Sequence, residues 1–255
     1  HMSENTILSY CYAIEDFTRR YPSVGENTLR AYRTFLIENY SPATVNVRIR
    51  AVNKYLHFIG KESLQLKGIR VQQASFLENA ISNGDYERLK AYLRKEPNKQ
   101  WYFCVCFMGS TGVRVSELLQ LQADDIRRGR ADICGKGGKR RCVFIPDRLR
   151  EQALAWMAES GREAGYLFLN RAGGRITVRG IALQLRHLAE KYDIDSSLVH
   201  PHAFRHLFAR NFLDRRNDVA LLADLLGHSS IETTRIYLRR SGEEQRAIIE
   251  NTVNW

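Results

Sequence analysis

Apolar residues recur at helical spacing through almost all of this chain. Only between Ala131 and Pro146 does the pattern shorten into β-like runs about a glycine-rich turn. The expected fold is therefore mainly α with a small β-sheet. At 255 residues and 44% hydrophobic, the chain is long enough for one large domain or two ordinary ones. Its apolar runs stay well short of the ~20 residues a membrane span requires. No leader is visible, and His1-Met2 reads as a cloning remnant that leaves the native start open.

Residues Glu4 to Gly60 read as helices. Ile7, Cys11, Ile14 and Phe17 share a face, and Tyr21-Pro22 ends the segment. Asn27 is placed to cap a second helix carrying Leu29, Tyr32 and Leu36, and Ser41-Pro42 opens a third. That third helix has an apolar stripe of Val45, Ile49, Val52, Leu56 and Ile59. Opposite lies a polar face of Asn46, Arg50, Asn53, Lys54 and His57. The polar face fits solvated surface, and it fits equally a helix laid against DNA, with Arg50 and Lys54 on phosphates and Asn46 on phosphate or base edges.

From Lys61 to Phe76 the periodicity lapses and the stretch reads as a linker. The expected bounds are a helical domain at 1–70, a linker at 71–80 and a larger domain at 81–255. In the larger part, Ser82-x-x-Asp85 is a capping box for a helix to about Leu93, and Trp101–Met108 reads as a buried helix. Further helices are expected over Arg150–Ser160 and Arg179–Tyr192.

Five pieces carry residue types suited to chemistry. Arg114 follows the Thr111-Gly112-Val113 turn beside a helix start, and an ion pair with Glu117 or Asp124 is its plain alternative. The turn Gly135-Lys136-Gly137-Gly138-Lys139-Arg140 is a basic hairpin tip. It lacks the Gly-Lys-Ser/Thr ending and following helix of a P-loop, and Lys139 and Arg140 are candidate phosphate contacts. His202 and Arg205, three apart, share a helix face, whereas Phe204 and Phe208 point into the core. Gly227 stops an apolar helix from Val219 to Leu226. Ser229-x-x-Glu232 then starts another, which puts His228 in the corner and Tyr237 about two turns further on.

The formal net charge of +11 favours phosphate backbones or anionic membranes as partners, with nucleic acid the better fit in a chain that lacks a membrane signal. His200, His202 and His206 invite a metal reading. Arg205 sits among them, and no nearby carboxylate or cysteine has ligand spacing, so no metal or other cofactor is expected. The cysteines number five and form no C-x-x-C pair. Cys104 and Cys106 read as small core hydrophobes, and a Cys134–Cys142 disulfide across the hairpin is the weaker alternative to free thiols.

Arg114, Lys136, His202-x-x-Arg205, His228 and Tyr237, in this order and spacing, resemble the tyrosine recombinase family, also called phage integrases, with Xer-type recombinases as relatives. The resemblance is carried by Thr-Gly-Val-Arg114-Val-Ser-Glu-Leu, Gly-Lys136-Gly-Gly-Lys, His202-Ala-Phe-Arg205-His and Leu-Gly-His228-Ser-Ser-Ile-Glu-Thr-Thr-Arg-Ile-Tyr237, and it spans roughly Ile81 to Ser241. Phe204 stands where the family more often has leucine, and the arm-binding domain of some phage integrases has no counterpart here. The resemblance implies a helical core-binding domain ahead of a catalytic domain. It implies Tyr237 as nucleophile, His202 as its base, and Arg114, Arg205 and His228 on the phosphate, with Lys136 rather than Lys139 as general acid. It also implies a homo-tetramer on double-stranded DNA bearing a specific target site, a monomer or weak dimer when free, and a cytoplasmic protein with no membrane partner. A C-terminal helix over Glu243–Trp255 is expected to dock on a neighbouring protomer or on its own domain. A type IB topoisomerase, a DNA-binding regulator and a metal-dependent nuclease are the rivals.

Overall fold

The computed structural model describes residues 2, 4–70, 81–135, 138, 140–228, 230–235, 237, 246 and 249–250. The chain divides into two compact units, 1–74 and 75–255. Among the described residues no helix is long and apolar enough to cross a membrane.

The first unit is built from α1 (Glu4–Arg20), α2 (Glu26–Asn39) and α3 (Pro42–Phe58), with a single 3-10 turn at Glu62–Leu64. Ser41 caps α3 by accepting from the Thr44 amide, and Pro42 occupies the first helical position, where its missing N–H costs nothing. Phe17, Leu29, Tyr32, Leu36, Val45, Ile49, Val52 and Leu56 form the core. Two expectations need correction. The second helix starts at Glu26, because Thr28 rather than Asn27 bonds the free Gly25 amide (2.9 Å). The stripe on α1 is buried only in its second half, at Ala13 and Phe17, whereas Ile7 is exposed and so is Cys11. The same half buries Asp16, which receives Arg48 (2.8 Å) and Arg20 (2.9 Å); a carboxylate so enclosed needs such partners.

A third correction concerns the linker. From Lys61 to Ile69 the chain stays on the first unit, with Leu64, Leu66 and Ile69 packed against its core. An extended segment lying on helices has no strand to satisfy its peptide groups. Asn53 and Asn46, two turns apart on α3, take that part. Asn53 donates to the Leu66 carbonyl and accepts from its amide (both 2.9 Å), and Asn46 does the same at Ile69 (2.9 and 2.8 Å). Asn46 is thus occupied by its own chain, whereas Arg50 and Lys54 on α3 are exposed. The linker expected at 71–80 lies outside the described residues.

The second unit contains α4 (Asn83–Lys95), α5 (Gln100–Thr111), α6 (Val115–Leu118) and α7 (Ala123–Arg128), then the hairpin β1 (Arg130–Cys134) and β2 (Arg140–Phe144). It continues with α8 (Asp147–Glu159), α9 (Val178–Lys191), α10 (Pro201–Arg215), α11 (Val219–Leu226) and α12 (Glu232–Arg235). Helix α5 is the central rod, buried from Tyr102 to Met108 and packed against α4, α8 and α10. Its chain turns at Gly112 in the left-handed conformation (φ 62°). A Cβ there would lie 2.5 Å from Phe208 and 2.8 Å from Leu226, so α10 and α11 close directly over the turn. Cys104 and Cys106 are buried and free. The antiparallel hairpin pairs Cys134 with Arg140 and Cys142 with Asp132, a register that places Cys134 and Cys142 on different rungs; both are free thiols.

Asn53→Ala and Asn46→Ala should each lower the unfolding free energy in a urea titration by about 1 kcal/mol, since each strands a half-buried peptide group. No loss in either variant would mean that Leu64, Leu66 and Ile69 alone hold the segment.

Candidate active site

Two helix ends and one helix start converge in the second unit. The last carbonyls of a helix have no partner within it, and they carry the negative end of its dipole. Here arginines take them. Arg205, on α10 and buried, donates from Nη1 to the Gly112 carbonyl just past α5 and from Nη2 to the Leu226 carbonyl at the end of α11, both at 2.7 Å. Arg114 reaches the Leu226 carbonyl at 3.4 Å, and Arg141 of β2 donates to the carbonyl of Leu225.

Glu117 balances these cations. It is 1% exposed, accepts from Arg114 (2.8 Å) and Arg141 (2.8 Å), and lies 4.0 Å from Arg205. It also accepts from the Arg114 amide (2.7 Å), which caps α6. Burial by itself would raise the carboxyl's pKa, but the Arg141 and Arg114 bonds outweigh it and hold the group below the usual value. The ion-pair reading of Arg114 is realised: its pairing with Glu117 fixes the guanidinium near the Leu226 carbonyl.

The corner after α11 follows from Gly227, left-handed at φ 62°, with the His228 amide bonded back to the Ala223 carbonyl (2.9 Å). A Cβ on Gly227 would sit 2.5 Å from Arg141 Cδ, so the glycine is needed twice. His228 Nε2 lies 2.9 Å from Arg205 Nη2, and its Nδ1 lies 2.7 Å from Thr234 Oγ1. Arginine can only donate, so Nε2 accepts and the ring proton sits on Nδ1, donated to Thr234. The helix that follows is described from Glu232 to Arg235, and Tyr237 lies two residues further on. Its ring packs against the cluster of Ala209, Leu213, Leu222 and Leu226, and its phenol feels the charge of Arg205. The ring stacks nearly parallel to His228 (centroids 6.4 Å, 11°) and lies 5.3 Å from His206.

Burial raises the Tyr237 phenol's pKa, and the charges of Arg205 and Arg114 oppose that rise. Burial, followed by neighbouring imidazoles and Arg205, pushes His206 down to about 4. Burial, followed by Arg205 and Arg114, does the same to His228. Arg205 itself falls to about 10, through burial first and Arg114 second.

The structure thus brings Arg114, Arg205, His228 and Tyr237 to one place. His202 is exposed on the same face of α10, its ring 6.5 Å from His206. His200 caps α10 by accepting from the Ala203 amide. Among the described residues no three His, Cys, Asp or Glu side chains gather as metal ligands. Arg140 is exposed at the start of β2. Lys136 and Lys139 lie outside the described residues, as do Ser229 and the Glu232 side chain of the expected capping box. The expected C-terminal helix lies outside them too, apart from helical Arg246, Ile249 and Glu250. Sequence reasoning missed Arg141, Thr234 and the contact of His206 with Tyr237. For Arg141 a signal existed, since strand alternation places it on the same face as buried Val143.

A model of the phage integrase family matches residues 79–244. The chain belongs to that family. As a phage integrase family member it is a tyrosine-type recombinase, an enzyme that cleaves and rejoins DNA. Tyrosine recombinase XerA of Pyrococcus furiosus is 27% identical over 97% of this chain and 88% of its own length. Tyrosine recombinase XerD of Caulobacter vibrioides is 29% identical over 97% of this chain and 90% of its own. In fold, the chain resembles the XerH site-specific recombinase in a post-cleavage complex with palindromic difH substrate (TM-score 0.78, 23% identity, 97% of this chain and 79% of that one). It also resembles the Tn1549 transposon integrase in complex with transposon right-end DNA (TM-score 0.76, 16% identity, 99% of this chain and 95% of that one).

Gly227→Ala forces a Cβ into the left-handed region and against Arg141, and should lower stability by at least about 1–2 kcal/mol in chemical denaturation. The imidazoles set a pH dependence. His206 and His228 titrate at about 4 in the folded chain against an ordinary 6.5, so the unfolded chain binds more protons between these values. The stability they contribute is complete above pH 6.5 and is lost as pH falls toward 4, whereas the Glu117 contribution is lost only below its ordinary 4.5. His228→Gln should flatten the decline between pH 6.5 and 4.5 in pH-resolved thermal melts.

Proposed function

We propose that this recombinase cuts double-stranded DNA at a specific target site with the phenol oxygen of Tyr237 and rejoins it to a new partner through a Holliday junction. The observation that supports this reading best is the Arg205 guanidinium, which bonds the His228 imidazole and shares the Leu226 carbonyl with Arg114, so that both charges bear on the Tyr237 phenol. A phosphodiester seated there meets two guanidiniums at its non-bridging oxygens. The phenol oxygen forms a bond to phosphorus, and the bond to the 5′ oxygen breaks with its electron pair. Lys136 protonates that oxygen, leaving a 3′-phosphotyrosyl ester. The ester conserves the bond energy, so rejoining asks for no ATP, and the arginines supply the charge that a metal ion brings in other phosphoryl-transfer sites.

Ionising a phenol of pKa near 10 at pH 7 costs about 4 kcal/mol, so the proton must be shared or removed as attack proceeds. The α10 imidazoles are placed for it, with His202 as the family's base. When the phosphate draws Arg205 toward itself, His228 Nε2 is released and, once protonated, donates to the same phosphate. Arg50 and Lys54 on α3 and Lys139 and Arg140 at the hairpin are phosphate contacts. Asn46, occupied with Ile69, serves the fold instead. The enzyme works as a homo-tetramer on DNA, is a monomer or weak dimer when free, and acts in the cytoplasm at the nucleoid.

Wild type and Tyr237→Phe, incubated with fragmented genomic DNA and stopped with SDS, test this directly. Wild-type adducts at a few discrete sites through the 3′ phosphate, and none from Tyr237→Phe, are expected; an adduct from the variant would remove Tyr237 as nucleophile. A plasmid carrying one recovered site should not be relaxed catalytically, whereas two sites should recombine. Relaxation at scattered positions would make the protein a type IB topoisomerase.

A further inference from the structure

We propose that His206 is a second base of this site, the first acceptor of the Tyr237 proton, standing between the nucleophile and His202. The inference rests on Tyr237 as nucleophile, and the geometry singles out one imidazole. His228 is engaged at both nitrogens, by Arg205 and by Thr234. His202 is exposed, and its ring lies against His206, 6.5 Å away. The His206 ring lies against Tyr237 itself, 5.3 Å between centroids. His206 Nδ1 is buried and has no hydrogen-bond partner among the described residues.

A nitrogen left that way is costly, and a phenylalanine would fill the same half-buried space without the penalty. In the free enzyme the charge of Arg205 bears on the Tyr237 phenol. A phosphate that recruits Arg205 leaves the phenol to the imidazole packed against its ring. The phenolic O–H bond then breaks as the O–P bond forms, and the proton passes to His206 Nδ1. His206 becomes an imidazolium and hands a proton along the α10 face to His202 and water. On rejoining, the leaving phenolate regains a proton by the same path.

The titratable and charged groups around His206 are His200, His202 and Arg205 on α10 and Tyr237 from the segment after α12, with Arg114 and His228 beyond Arg205. Together with burial they keep His206 neutral at pH 7 and so open to a proton. The charge of a bound phosphate offsets the Arg205 repulsion and strengthens the base at the moment it is used.

Full-length wild type, His206→Phe, His206→Asn, His202→Phe and Tyr237→Phe are compared on a nicked duplex carrying a site recovered by adduct mapping. Adduct formation is followed in single turnover from pH 6 to 9.5, alongside DNA affinity and thermal melts. His206→Phe should bind DNA as wild type does, melt at the same or a higher temperature, and cleave about 100-fold more slowly at pH 7. Its deficit should shrink to about tenfold or less by pH 9.5, where solvent base takes over the proton, and His206→Asn should behave the same way. Wild-type rates in both variants, or a deficit of equal size at every pH, would overturn the proposal. So would the pH-dependent deficit appearing in His202→Phe alone, which assigns the first transfer to His202. An adduct from Tyr237→Phe would sink the nucleophile and this proposal with it, an outcome told apart from the others by that control.

Discussion

The second unit depends on how its arginines are held. Guanidiniums brought this close repel one another, and burial strips them of water. The chain solves both problems with groups it already has. The terminal carbonyls of α5 and α11 need donors, and Arg205 joins the two at 2.7 Å each. Glu117 supplies a full negative charge, bridging Arg114 and Arg141. The cations are therefore fixed before any phosphate arrives. Donors held ready in this way stabilise a developing charge without rearranging as it forms. The requirement explains both glycines: Gly112 lets α10 and α11 approach the end of α5, and Gly227 leaves room for the Arg141 side chain.

A concentrated positive field also decides the state of its neighbours. Imidazoles buried beside it lose their protons, as His206 and His228 do. The same field favours a phenolate, against the burial that disfavours it. Neutral bases next to an acid that the field helps to ionise are a suitable set for moving one proton off a tyrosine. His202, Arg205 and His206 share one helix, and their spacing sets which of them meet.

What could be read from the sequence was local. The glycine turn at 112, the glycine cap at 227 and Ser41-Pro42 state their structure within a few residues and form as written. Of the Ser82-x-x-Asp85 box the Ser82 half forms, accepting from the Asp85 amide while the Asp85 carboxylate takes the Ser82 hydroxyl. The long-range pairs could not be read this way. Arg141 meets the Leu225 carbonyl across 84 residues, and nothing near either one announces it. Asn46 and Asn53 look like a polar surface because their partner is not a side chain but the backbone of a segment whose own pattern is weak. Nor does local spacing announce that Tyr237 packs onto the α10–α11 cluster. In each case a backbone or tertiary partner overrode the local pattern.

The resting site is also closed upon itself. Carbonyls and the His228 ring already occupy Arg205 donors. A neutral ligand has little to offer in exchange, because it would replace satisfied hydrogen bonds with equivalent ones. A phosphodiester brings a full charge, and charge-assisted bonds to it outweigh those to an imidazole. In the proposed function, displacing the imidazole frees His228 Nε2 to face the phosphate, so that binding is an exchange of partners at Arg205.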